Sequence, residues 1–173
     1  FDLKTSAAVH ARVVDGKTAV LFRAAGALVA IMRGEKDFEH AETAMLGLEF
    51  GRFFQLRDDY LDYFDSARLK KKGLQDFTNG IVTRPLLHLL KAAGKQEQVA
   101  IRAAWNAGNK QAGVSDRQLV PRLMEKYGIA AQCSAELEDL QQQILTKLSA
   151  LPGKAAREVI TEEFQKTLAV RAA

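Results

Sequence analysis

Phe50-Gly51-Arg52-Phe53-Phe54-Gln55-Leu56-Arg57-Asp58-Asp59-Tyr60-Leu61-Asp62-Tyr63-Phe64 is the stretch from which the rest of the chain can be read. It has the composition of the end of a long helix, with aromatic and apolar residues around a tight group of carboxylates. At about 100° per residue, Gln55, Asp58, Asp59 and Asp62 fall within one arc of the helix surface. Like charges three and four residues apart repel, and the cost rises as water is removed. Carboxylates packed this closely in an apolar setting require a compensating cation. Oxygen-rich sites with few protein ligands suit Mg²⁺, which keeps waters and shares its ligands with substrate phosphates. The competing reading is a solvated acidic face, the commonest fate of charged helix residues. A bare DDxxD pattern recurs by chance and does not choose between the two.

On the N-terminal side, Asp37 is placed to cap this helix, with Glu39 in its first turn, and the helix runs to about Phe64. Gly47 and Gly51 lie within it, each costing about 1 kcal/mol relative to Ala in an exposed helix. Their four-residue spacing is either a smooth strip for close helix packing or propensity noise. Upstream, Lys17 to Met32 is rich in Ala, Leu, Val and Ile, which suits a buried helix stopped at Gly34. Ala8 to Val14 is also compatible with a helix.

On the C-terminal side, the hydrophobic period breaks from Asp65 to Gly80, which reads as a loop or partly helical connection. Thr83-Arg84-Pro85 then opens an apolar helix that ends near Gly94, with Pro85 in the first turn where its missing N–H costs little. Helices are expected over Gln96 to Ala107 and from about Ser115 to Tyr127. Ser115 and Gln118 have capping-box spacing, while Pro121 blurs that boundary. Leu137, Leu140, Ile144, Leu148 and Leu151 define an amphipathic helix ended by Pro152-Gly153, and a last helix carries Val159, Ile160, Phe164 and Leu168. No segment has strand periodicity and no internal repeat is present. The predicted fold is all-α, a single domain over residues 1–173.

A chain of 173 residues with 47% hydrophobic and 27% charged content has enough apolar material for one soluble globular core. The net charge of +4 is scattered apart from Arg68, Lys70, Lys71 and Lys72, which gives no argument for nucleic acid. Cys133 is the only cysteine, which excludes an internal disulfide and fits a reducing compartment. The most apolar run, Thr18 to Met32, is too short to span a bilayer and is broken by Arg23, so no transmembrane segment is expected. A cytoplasmic location follows from these features. The chain begins at Phe1, which leads to the expectation that it is part of a longer protein.

Three segments in order carry a family resemblance. Gly16-Lys17-Thr18-Ala19-Val20-Leu21-Phe22 resembles the Lys-Thr motif of the trans-isoprenyl diphosphate synthases, the polyprenyl synthetase family. Phe54-Gln55-Leu56-Arg57-Asp58-Asp59-Tyr60-Leu61-Asp62 is similar to that family's second aspartate-rich motif. Lys72, Asp76, Gly80 and Thr83-Arg84-Pro85-Leu86 resemble the lysine-containing segment that follows. Lys72 lies thirteen residues after Asp59, and Asp76 four further on, which are the family's offsets. Three ordered motifs at matching separations are far more specific than any one alone. The resemblance is strong from Gly16 to Leu87 and rests on helix pattern thereafter.

The resemblance implies an isoprenoid-synthase-type helical bundle, of which this chain is the C-terminal half. It implies a prenyltransferase that condenses isopentenyl diphosphate with an allylic diphosphate, using Mg²⁺, to give an (E)-polyprenyl diphosphate. Asp58, Asp59 and Asp62 would hold the Mg²⁺ that bridges the allylic diphosphate. Lys17 and Lys72 would contact that diphosphate, and Thr18 and Gln55 would line the site near the reacting carbon. Asp76 is either a further site residue or a turn residue supporting the loop. A helical homodimer, or pairing with a missing N-terminal half, is the implied assembly. The residue types match the chemistry, because ionising an allylic diphosphate requires the charge gathering on the leaving group to be stabilised in a water-poor cavity.

Departures from the family pattern bear on that reading. Ile81 stands where many members carry a second lysine, Arg84 replaces a small or apolar residue before the proline, and His10 takes the place of an aromatic residue. The first aspartate-rich motif and the residues that grip isopentenyl diphosphate have no counterpart in the chain. A non-catalytic or regulatory helical subunit is therefore the alternative, and a class I terpene cyclase, which shares the ionisation chemistry, is a third. Retention of Lys17, Gln55, the three aspartates and Lys72 argues for the enzyme. His40, His88, Trp105, Tyr127 and Cys133 read as structural.

Overall fold

The computed structural model describes residues 6–65, 74–108 and 118–169, and the regular secondary structure of those segments is helical. Helix α1 (Ala7–Val14) continues through a π-turn, Asp15–Ala19, into α2 (Val20–Met32). Ser6 caps α1 by accepting the Val9 amide, and Gly34, at φ 76°, turns the chain after α2. Helix α3 spans Glu42–Phe64 and carries the acidic motif at its end. The short α4 (Gln75–Thr78) and then α5 (Arg84–Ala92) follow. The remaining helices are α6 (Lys95–Gly108), α7 (Leu119–Lys126), α8 (Ile129–Ala150) and α9 (Lys154–Ala169).

Most boundaries agree with the helical pattern of the sequence, and the exceptions have local causes. Asp37 does not cap α3. Its carboxylate instead meets His40 Nδ1 at 2.8 Å in the preceding turn, and α3 starts at Glu42 without a side-chain cap. Pro121 is the third residue of α7, inside the first turn where no intrahelical N–H is needed. Gln118 precedes that helix without capping it, and Ser115, its expected partner, lies outside the described residues.

Packing of α2 on α3 decides between the two readings of the glycines. A Cβ at Gly47 would overlap the Phe22 carbonyl, one at Gly51 would overlap Ala19, and one at Gly26 of α2 would overlap the Thr43 carbonyl. The two backbones therefore approach closer than any side chain permits. Thr43 Oγ1 donates to the Gly26 carbonyl at 2.8 Å across the contact. The strip is a packing surface.

Two larger cores hold the rest together. Phe77, Leu86, Leu89, Ile101, Trp105, Val120, Met124, Ile129 and Cys133 join α4 to α8, with Trp105 edge-on to Phe77 at 5.2 Å. Leu46, Phe53, Leu137, Ile144, Leu148 and Phe164 join α3, α8 and α9, and Phe164 stands 4.6 Å from Phe50 and 5.1 Å from Phe53. Trp105, Tyr127 and Cys133 are packing residues, as the sequence reading has it. Tyr127 donates from its hydroxyl to Glu97, and burial pushes the Cys133 thiol up to about 12.

A further expectation is overturned. Helix α2 is not a buried helix: Leu21, Leu28, Ile31 and Met32 are exposed, Met32 to 88%, and only Ala30 of the helix is buried. Its small-residue face is spent on α3, which leaves its large side chains outward. Among the described residues no helix is long and apolar enough to cross a membrane.

Candidate active site

The π-turn, the last turns of α3 and the start of α5 meet around the acidic motif. Within the π-turn the Val20 amide reaches back five residues to the Asp15 carbonyl. The inserted residue rotates Thr18 toward α3 while Lys17 stays exposed. Thr18 Oγ1 donates to Gln55 Oε1 at 2.8 Å, and Gln55 Nε2 donates to Asp59 Oδ1 at 2.8 Å. One chain of hydrogen bonds thus runs from the Lys-Thr segment to the aspartates.

The three aspartates of the motif have different environments. Asp59 is 2% exposed, and its second oxygen accepts the Arg84 amide at 3.1 Å. That amide opens α5, whose own N-cap residue Thr83 contributes no side-chain bond. Asp62 is 4% exposed and accepts the Gln75 amide at 3.2 Å and the Asp76 amide at 3.0 Å. It thereby caps α4, which likewise lacks a side-chain cap from its own preceding residue. Both carboxylates are doing what acids do at helix N-termini, satisfying amides that the helix leaves open. Asp58 is half-buried and makes no hydrogen bond or ion pair with another described residue.

Electrostatics sharpen the distinction. Burial pushes the Asp59 carboxyl up to about 7, against the hydrogen bonds from Gln55 and the Arg84 amide that pull it down. His10 Nε2 lies 3.7 Å from Asp59 Oδ2, and burial, with the charge of Arg84, lowers the His10 pKa. His10 is therefore held neutral against the motif rather than acting as its counter-ion. The Arg84 guanidinium turns away to Glu136 of α8, donating at 3.0 and 2.9 Å. This fork accommodates the arginine that departs from the family pattern. His88 sits 3.0 Å from the same carboxylate.

Of the residues singled out in the sequence, the structure brings Thr18, Gln55, Asp59, Asp62 and Asp76 together around the ends of α3 and α4. Lys17 stands beside them on the exposed side of the π-turn. Lys72 lies outside the described residues. Sequence reading missed the part played by Arg84, Glu136, Asp15 and Arg52, because each acts through a partner distant in the chain.

Among the described residues no three His, Cys, Asp or Glu side chains converge as a self-sufficient metal cage. The donor set fits Mg²⁺ all the same. That ion binds through one or two carboxylates and completes its shell with water and substrate phosphate. Neither Asp58 oxygen is hydrogen-bonded by another described residue. Asp59 and Asp62 each accept one hydrogen bond per oxygen from the partners above, which leaves lone pairs for a water in the ion's shell.

Of the six aromatics between Phe50 and Phe64, Phe53 is buried, Phe50, Tyr60, Tyr63 and Phe64 pack on the cores, and only Phe54 is exposed. Its ring is 5.8 Å from that of Phe22. The two contribute, with Phe50, Phe53, Val159, Ile160 and Phe164, to an apolar groove of about 300 Å³.

A model of the family described as polyprenyl synthetase matches residues 1–120. Octaprenyl diphosphate synthase of Haemophilus influenzae is 34% identical over 116 residues, covering 66% of this chain and 35% of that protein. Octaprenyl diphosphate synthase of Escherichia coli is 31% identical over 152 residues, covering 87% of this chain and 46% of that protein. A polyprenyl synthase from Roseobacter denitrificans of known structure is similar with a TM-score of 0.80 at 25% identity, over 93% of this chain and 52% of that one. A decaprenyl diphosphate synthase from Rhodobacter capsulatus has the same fold, with a TM-score of 0.79. The chain spans about half, or less, of the length of these relatives. With its all-α architecture, its ordered motifs and a family match over well more than half of its residues, the chain belongs to the polyprenyl synthetase family.

Proposed function

We propose that this chain supplies one half of the active site of a prenyltransferase that joins isopentenyl diphosphate to an allylic diphosphate, giving an (E)-polyprenyl diphosphate. The observation that carries the reading is the hydrogen-bonded chain Thr18–Gln55–Asp59, which ties the Lys-Thr segment to the acidic motif in a member of this family. Asp58 would hold Mg²⁺ directly, Asp59 and Asp62 through water. Magnesium, when bound, supplies positive charge for the departing diphosphate.

The chain's own residues do the rest. Lys17 and Lys72 contact the diphosphate as its C–O bond breaks and the electron pair leaves with oxygen. Fixed cations are worth most there, because the charge develops in the transition state. Thr18 and Gln55 border the cationic carbon, and exposed Phe22 and Phe54 provide apolar wall that keeps water off it. The isopentenyl double bond attacks, a C–C bond forms, and loss of a proton restores the alkene. The assembly is a homodimer, each protomer completed by the part of the fold that the relatives have beyond this span.

The test uses the full-length protein, labelled isopentenyl diphosphate and an allylic diphosphate. Product forms with Mg²⁺ and not in chelator. Asp58→Ala lowers the rate by about two orders of magnitude or more while helicity by circular dichroism is unchanged. An Asp58→Ala variant as active as the parent overturns the assignment.

A further inference from the structure

Asp15 and Arg52 form a contact that the proposed reaction does not use. Arg52 Nε and Nη2 each stand 2.6 Å from a different Asp15 oxygen, a two-pronged pair joining residues 37 apart in the sequence. Asp15 is the first residue of the π-turn, and its carbonyl accepts the Val20 amide that defines that turn. Arg52 lies on the same turn of α3 as Gly51 and Gln55. These three α3 residues take hold of the π-turn at three points: Arg52 at Asp15, Gly51 at Ala19, and Gln55 at Thr18. Lys17 sits between the held residues and is exposed.

The pair is not there for bulk stability. Its side chains are 43% and 33% exposed, where ion pairs contribute little. The fork geometry is instead directional, fixing orientation as well as distance. The Arg52 hydrogen bond holds the Asp15 carboxyl below the usual carboxylate range, so the pair stays ionised under ordinary conditions. A π-turn is a less favoured helical state that needs outside support to persist. If it relaxed to α-helix, one residue would leave the turn and everything on it would rotate by about 100° relative to α3.

We propose that Asp15 and Arg52 are positioning residues, which keep the π-turn in register against α3 and so set where the Lys17 ammonium stands for a diphosphate group. This rests on the reading of Lys17 as a diphosphate contact.

The test measures binding of inorganic pyrophosphate with Mg²⁺ to the full-length protein by calorimetry. Lys17→Ala is the control for the site itself. Asp15→Asn and Arg52→Leu are expected each to weaken binding by about three- to tenfold, and Arg52→Lys, which keeps charge but loses the fork, to fall between them and the parent. Exchanging the charges, Asp15→Arg with Arg52→Asp, is expected to recover part of the loss. In the single variants hydrogen exchange of the Val20 amide speeds up while the melting temperature changes little. Pyrophosphate affinity unchanged in Asp15→Asn and Arg52→Lys, with Lys17→Ala weakened, overturns the positioning role and leaves the site reading intact. Affinity unchanged in Lys17→Ala removes the site reading and the positioning role with it.

Discussion

The Thr18 hydroxyl of the π-turn donates to Gln55 Oε1 of α3 at 2.8 Å, and that bond sets which way the Gln55 amide faces. With its oxygen taken by Thr18, the amide nitrogen is the end presented to Asp59. Removing the hydroxyl lets the amide turn over and leaves a carboxylate oxygen without its donor. Thr18→Val and Gln55→Leu are each expected to cost about 1 kcal/mol of stability, and the double variant less than their sum. A double-mutant cycle in urea checks this; additive losses would mean that the two side chains are not coupled.

Asp58 and Asp62 should part company under mutation. Asp62→Ala strips two amides of their acceptor at the start of α4, for an expected loss of about 1–3 kcal/mol and faster proteolysis near residues 74–78. Asp58→Ala removes a carboxylate with no hydrogen-bond or ion-pair partner among the described residues and should leave stability within about 0.5 kcal/mol of the parent. Denaturant melts in chelator decide it, and an equal loss for both is the contrary result.

Asp59 should give the protein an inverted pH response. Its carboxyl is raised from 3.8 to about 7 by burial, so the folded state holds the proton more tightly than the unfolded chain does. The stability it contributes is therefore complete below pH of about 4 and is lost as pH rises through about 7. Asp15, whose carboxyl is lowered by Arg52, acts in the opposite sense, with stability lost as pH falls through the acid range. His10, lowered by burial, likewise loses stability as pH drops below the ordinary histidine value. In chelator the difference between parent and Asp59→Asn should narrow toward low pH and change most between about pH 4 and 7. A parent and variant with parallel pH profiles over that range count against the shift.

Gly47 offers a test of the helix contact. In an ordinary helix Gly→Ala stabilises by about 1 kcal/mol. Here the new methyl group meets the Phe22 carbonyl, backbone that cannot step aside without parting α2 from α3. Gly47→Ala is expected to destabilise by about 1–3 kcal/mol. Gly16→Ala, where nothing lies within 4 Å, should be neutral or slightly stabilising. Thermal melts of the two variants compare them directly.

Most of the helices, their approximate ends and the family were legible in the residues alone. Helix periodicity, the proline in the first turn of α5 and the spacing of three motifs are local properties, and local properties survive whatever packs around them. The angular position of Gln55, Asp58, Asp59 and Asp62 on α3 was legible for the same reason. What stands opposite each of them was not. Asp59 and Asp62 cap helices whose amides lie 25 and 14 residues further on, and Asp15 meets an arginine 37 residues away. Whether the glycines of α3 were noise or a packing strip, and whether the apolar side chains of α2 were buried, depended on a neighbour's backbone. A helical wheel assigns a direction to a side chain; only the packed chain decides what occupies that direction, and so which carboxylate is spent on structure and which is left for chemistry.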